Sequence, residues 1–139
     1  MTDSVFERLC NDCAGAPTEL LVRGIHEFNT GEYYKQHETL ESAWRNEQGP
    51  LREMYQGILQ VGVAYLQIKR LNYVGAMKIF NRAWLHLSKL PEKCCTIDVA
   101  LFITEAKRAQ AELQRLGAER IAEFNPVFFK PIQMIHGLR

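Results

Sequence analysis

Apolar residues recur at helical spacing along nearly the whole chain. A first short helix is predicted over about residues 4–13, and Gly15-Ala16-Pro17 breaks it. A second runs over about 18–29, with Leu20, Leu21, Gly24, Ile25 and Phe28 on one face. Asn29-Thr30-Gly31 reads as a turn, because glycine and asparagine tolerate the left-handed backbone that ends helices. A third helix is predicted over about 32–46. At about 100° per residue, Tyr33, Leu40 and Trp44 fall on a narrow arc, with His37 at its edge.

Gly49-Pro50 separates this helix from a fourth over about 51–71. The stretch from Met54 to Ile68 carries no charge, which predicts a central helix covered on most sides. Leu51, Met54, Tyr55, Ile58, Leu59, Gly62, Tyr65 and Leu66 are its expected core residues. Gln56, Gln60 and Gln67 form a stripe on the other side. A fifth helix over about 73–87 has a clean apolar face of Tyr73, Ala76, Met77, Phe80, Ala83, Trp84 and Leu87. Asp98 is placed to cap a sixth, in which Phe102, Ala106, Ala109, Leu113 and Leu116 align and Gly117 ends the run. No strand pattern stands out, so the expected fold class is all-α: stacked antiparallel helical hairpins, at least five helices and no sheet. The Asn-rich turns at 29–31 and 72–75, each followed by a helix with a late tryptophan, suggest two related helix pairs. Gly57, Gly62 and Gly75 are read as points of close helix packing. The chain 1–139 is expected to form one domain, with an aromatic, proline-containing tail (124–139) docked on it or on a partner subunit.

A chain of 139 residues is long enough to build a core without a metal or disulfide. Its 17 basic and 16 acidic residues leave a net charge of +1, so no electrostatic footprint predicts a nucleic-acid or membrane partner. No secretory leader is recognisable, and a cytoplasmic location is the expectation. Cys10-x-x-Cys13 has the spacing of half a zinc site, but the adjacent pair Cys94-Cys95 is poor spacing for the other half. Four reduced thiols and no metal are therefore expected.

Candidate chemistry is concentrated on the third helix. His37 and Glu41 stand at i and i+4 and point the same way, which suits a carboxylate-oriented imidazole or a shared metal. Glu41 and Arg45 repeat that spacing as an ion pair. His37 is expected to be largely dry, with Gln56 or Gln60 within reach of it or of Glu41, because a buried imidazole needs a partner. Further acids and histidines are few: His26 and Glu27 on the second helix, Glu53 on the fourth and His86 on the fifth. The candidate cluster is thus His37, Glu38, Glu41, Trp44, Arg45, Gln56 and Gln60.

The run Phe28-Asn29-x-Gly31-x-Tyr33-Tyr34-x-x-His37-Glu38-x-Leu40-Glu41-x-x-Trp44-Arg45 resembles the signature of the family known as domain of unknown function 309. Tyr55-Gln56-Gly57-Ile58-Leu59-Gln60-Val61 is similar to its second block, and Asn72-x-x-Gly75-Ala76 with Arg82-Ala83 to its third. The resemblance implies a prokaryotic-type, all-helical domain without an assigned activity or cofactor. It also implies that His37, Glu38, Glu41, Trp44, Gln56 and Gln60 belong to the family pattern. The favoured reading is a non-catalytic binding domain with a protein or small-molecule ligand. The alternatives are a metal-dependent or acid/base enzyme centred on His37 and Glu41, and a structural homo-oligomer.

Overall fold

A computed structural model describes residues 2–135 of the chain, apart from the side chains of residues 2–6 and Cys10. The expectation of a free Cys10 thiol and the last four residues of the tail lie outside the described residues. The helices are α1 (Thr2–Cys13), α2 (Glu19–Asn29), α3 (Tyr33–Asn46), α4 (Arg52–Lys69), α5 (Tyr73–Leu87) and α6 (Val99–Leu116). Two short 3-10 turns, Ala118–Glu123 and Pro126–Phe128, lead into the tail. The fold is all-α, and no described helix is long and apolar enough to cross a membrane.

The helix ends follow from local chemistry. Thr18 caps α2 by accepting from the Leu21 amide at 3.2 Å, Asn72 caps α5 through Gly75, and Asp98 caps α6 through Leu101. The ends of α2 and α4 close in the same way. Glu32 N donates to Glu27 O and Gly31 N to Phe28 O; Asn72 N donates to Gln67 O and Leu71 N to Ile68 O. Each is a Schellman closure with a left-handed residue, Gly31 at φ 81° and Leu71 at φ 62°. Connections this short turn the chain back on itself, so α2–α3 and α4–α5 are two antiparallel hairpins. The hairpins stack through α3 and α4.

From α2 to α5, each neighbouring pair of helices carries one glycine against a larger side chain. An added Cβ at Gly24 would collide with Leu40, one at Gly62 with Gln36, and one at Gly57 with Leu87. The helices therefore approach at the points where no side chain intervenes. Gly75 is different: its missing Cβ accommodates the Asn72 cap rather than a neighbouring helix, which corrects the packing role expected for it.

Over this layer sits an aromatic core. Phe28 of α2, Tyr33 of α3 and Tyr65 of α4 contact one another edge to face or tilted, Phe102 of α6 meets Phe28, and Phe80 of α5 adjoins Tyr65. Burial pushes the Tyr33 phenol up to about 12 and the Tyr65 phenol higher still. Ile58, Gly62 and Tyr65 are buried as expected of the central helix, but Leu66 is only half-buried. It projects about 100° from Tyr65 and lies at the edge of the arc.

The expectation of no sheet fails in a small way. Strands β1 (Lys93–Cys94) and β2 (Ile97–Asp98) form a two-stranded antiparallel hairpin. Its turn residues Cys95 and Thr96 both have positive φ, 49° and 65°, the conformation of a tight primed turn. Strands of two residues are too short to produce an alternating pattern, and the turn lacks the usual Asn-Gly signal. The tail adds a bridge from Met134 to Ile97. Asn29 then clamps the tail from α2: its Nδ2 donates to Ile132 O at 3.1 Å, and its Oδ1 accepts from Ile132 N at 2.7 Å. Phe129 places its ring 4.8 Å from that of Tyr65.

The expectation of four reduced thiols also fails, because Cys13 and Cys94 are joined by a disulfide. Spacing along the chain could not reveal that β1 is delivered to the end of α1. Cys95 is a buried free thiol, and Cys95 N donates to Cys13 O at 2.7 Å beside the disulfide. Burial, with Asp12 and Glu47 nearby, pushes the Cys95 thiol up to about 11.

Candidate functional site

Helix α3 does bring His37, Glu41 and Arg45 together. His37 Nε2 lies 3.5 Å from Glu41 Oε2, and Arg45 donates to the other oxygen at 2.7 Å. The ring, however, is not dry: the His37 side chain is 36% exposed. Among the described residues, no hydrogen bond joins His37 or Glu41 to Gln56 or Gln60. Gln60 Oε1 is instead buried without a partner. The expected network across to α4 is therefore corrected. Trp44 is half-buried, with the Arg52 guanidinium 4.2 Å over its ring. Arg52 also donates to the carbonyls of Trp44 and Glu47, closing the end of α3.

The reason lies in how α3 is rotated. Its buried residues are Tyr33, Gln36, Thr39, Leu40 and Ala43. Gln36 and Thr39 belong to the buried arc although they are polar, so its centre lies roughly 60–80° from the Tyr33–Leu40–Trp44 arc, on the side away from His37, which is left at the rim. Gln36, one position before the expected histidine, is the fully buried polar residue. Its Nε2 donates to Leu59 O at 3.2 Å, in the space left by Gly62. Gln36 falls three positions after Tyr33 and four before Leu40, and that spacing was the available signal.

A second imidazole–carboxylate pair joins α4 to α5. His86 Nδ1 and Glu53 Oε1 are 2.7 Å apart, and Lys89 Nζ lies 3.4 Å from the other oxygen. The carboxylate beside Nδ1 fixes the ring orientation. The two residues belong to a sparse inventory that gave no hint of their meeting, because they lie 33 positions apart.

An open concavity lies between α2 and α3. It has a volume of about 510 Å³ and is lined by Arg23, Glu27, Lys35, Glu38, Thr39 and Ser42. Glu38 is the one member of the expected cluster that lines it. Glu27 is 4% exposed, and its Oε1 is buried without a hydrogen-bond partner. Arg23 and Glu27 stand at i and i+4, Lys35 and Glu38 at i and i+3. Among the described residues, none of these four charges forms an ion pair. Helix α2 holds Glu27 inward because it follows Leu20 by seven residues and is flanked by buried Ile25 and Phe28. An acid at the border of an apolar arc was the sequence signal for it.

A protein of Aquifex aeolicus (strain VF5), described as "Uncharacterized protein", is 29% identical over 77 residues, which cover 53% of this chain and 22% of that protein. The chain thus spans less than a quarter of that relative's length. Neither this relative nor the matching family has an assigned activity. Residues 21–79, from the first turn of α2 into α5, match the family model described as "Domain of unknown function (DUF309)".

Proposed function

We propose that this domain is a binding module whose ligand site is the polar cleft between α2 and α3. One observation carries the reading: Glu27 lines this concavity, is almost fully buried, and leaves its Oε1 without a hydrogen-bond partner. A buried carboxylate without a partner destabilises a fold by roughly 1–3 kcal/mol or more. A residue kept at that expense in an open cleft is better understood as awaiting a donor than as part of the core. The cleft volume of about 510 Å³ falls within the range of small-molecule sites.

Backbone-amide NMR with millimolar pools of small amines, carboxylic acids and amino acids tests the proposal. Saturable shifts centred on Arg23, Glu27, Lys35, Glu38, Thr39 and Ser42 are expected. Shifts centred on His37–Glu41 or Glu53–His86 would move the site to an imidazole and contradict it. No saturable response at the cleft would also contradict it.

A further inference from the structure

We infer that the α2–α3 cleft takes a small zwitterion: a primary ammonium directed at Glu27 and an acidic group directed at Arg23 and Lys35. The inference rests on the cleft being the ligand site. Its lining holds two cations, Arg23 and Lys35, and two anions, Glu27 and Glu38, with two hydroxyls from Thr39 and Ser42.

Neighbouring charges on helices at these spacings ordinarily pair. Here Arg23 does not reach Glu27, and Lys35 does not reach Glu38; the two helices do not pair their charges across the cleft either. The outcome is a neutral site that keeps both signs available. A simple cation would satisfy Glu27 and meet Arg23 and Lys35 as like charges. A simple anion would satisfy the cations and meet Glu27 and Glu38. A molecule carrying both signs satisfies each without net repulsion.

The ammonium end is assigned to Glu27 because that carboxylate is the desolvated one. Charge-assisted hydrogen bonds are strongest where water is excluded, and an ammonium supplies three donors to an acceptor-only group. Lys35 and Glu38 are exposed, so they select and orient rather than anchor.

The test uses the full chain and a homologous series of ω-amino acids from glycine to 6-aminohexanoate, with butylamine and butyrate as single-charge controls. Amide shifts and calorimetry are expected to give saturable binding for at least one member of the series. Each control should bind at least tenfold more weakly than that member. Glu27→Gln should weaken the best zwitterion at least tenfold and remove its advantage over butyrate. Lys35→Met, at an exposed position, should weaken it while leaving butylamine unchanged. Cleft shifts by butylamine or butyrate as strong as those by the best zwitterion would overturn the ligand class while leaving the cleft as the site. Absence of any saturable shift would overturn both.

Discussion

Leu71 holds a left-handed backbone, φ 62°, while its side chain faces solvent. A left-handed β-carbon costs roughly 1–2 kcal/mol, and the equivalent position after α2 is Gly31. Glycine gives part of that gain back through greater freedom in the unfolded chain. Leu71→Gly is therefore expected to stabilise the fold by up to about 1 kcal/mol, read as a higher urea midpoint; a lower midpoint would mean that Leu71 contributes packing. Ile58 presents the opposite case, being 1% exposed at the middle of α4. Ile58→Ala should destabilise by about 2–4 kcal/mol, and a loss below about 0.5 kcal/mol would deny a packed core there. Cys95 makes a chemical prediction. Raised to about 11 by burial, its thiol stays protonated at pH 8, and the thiolate is the nucleophile. Iodoacetamide should leave the Cys95 peptide of the native protein unlabelled at pH 8 and label it on unfolding. Because the folded value lies above the unfolded one, the stabilisation tied to the protonated thiol is intact below the unfolded value. It falls away as pH climbs from about 9 toward 11.

At the scale of elements, the sequence made α2 to α6 legible to within about two residues at nearly every end. Caps at Thr18, Asn72 and Asp98 and the long 3.6-residue pattern point to the same boundaries. What escaped was shorter or hidden. The β1–β2 hairpin has too few residues for periodicity to register, and its union with α1 through Cys13–Cys94 joins segments 81 residues apart. On α3, buried Gln36 and Thr39 counted as polar and turned the expected face toward His37. Glu27 stands at the border of the apolar arc of α2, which points to its burial, but nothing along the chain shows that its Oε1 would be left without a partner. The Gln36–Gly62 contact gives a discriminating substitution. Glycine to alanine inside a helix ordinarily gains about 1 kcal/mol. Gly62→Ala is instead expected to destabilise, because the new methyl meets Gln36 where α3 crosses α4. A gain in thermal stability would show that the Gln36 side chain has room elsewhere.

For the whole molecule, the stacked hairpins form the frame and the tail closes one side of it. Asn29, Phe129 and the Met134 bridge hold that tail against α2, α4 and β2. An open concavity lies between α2 and α3, and among the described residues its four charges, Arg23, Glu27, Lys35 and Glu38, form no ion pair. On the proposed reading, stability and binding make contrary demands on Glu27, and that conflict separates a site from a structural feature. The direct measurement is urea denaturation of Glu27→Met against the parent chain, without added ligand. If Glu27 is kept for a ligand, replacing its unpartnered carboxylate with an apolar side chain of similar length should raise stability by about 1–3 kcal/mol at unchanged slope. A fall of about 1 kcal/mol or more would mean that the carboxylate supports the fold, and would contradict the assignment of the α2–α3 cleft as a binding site.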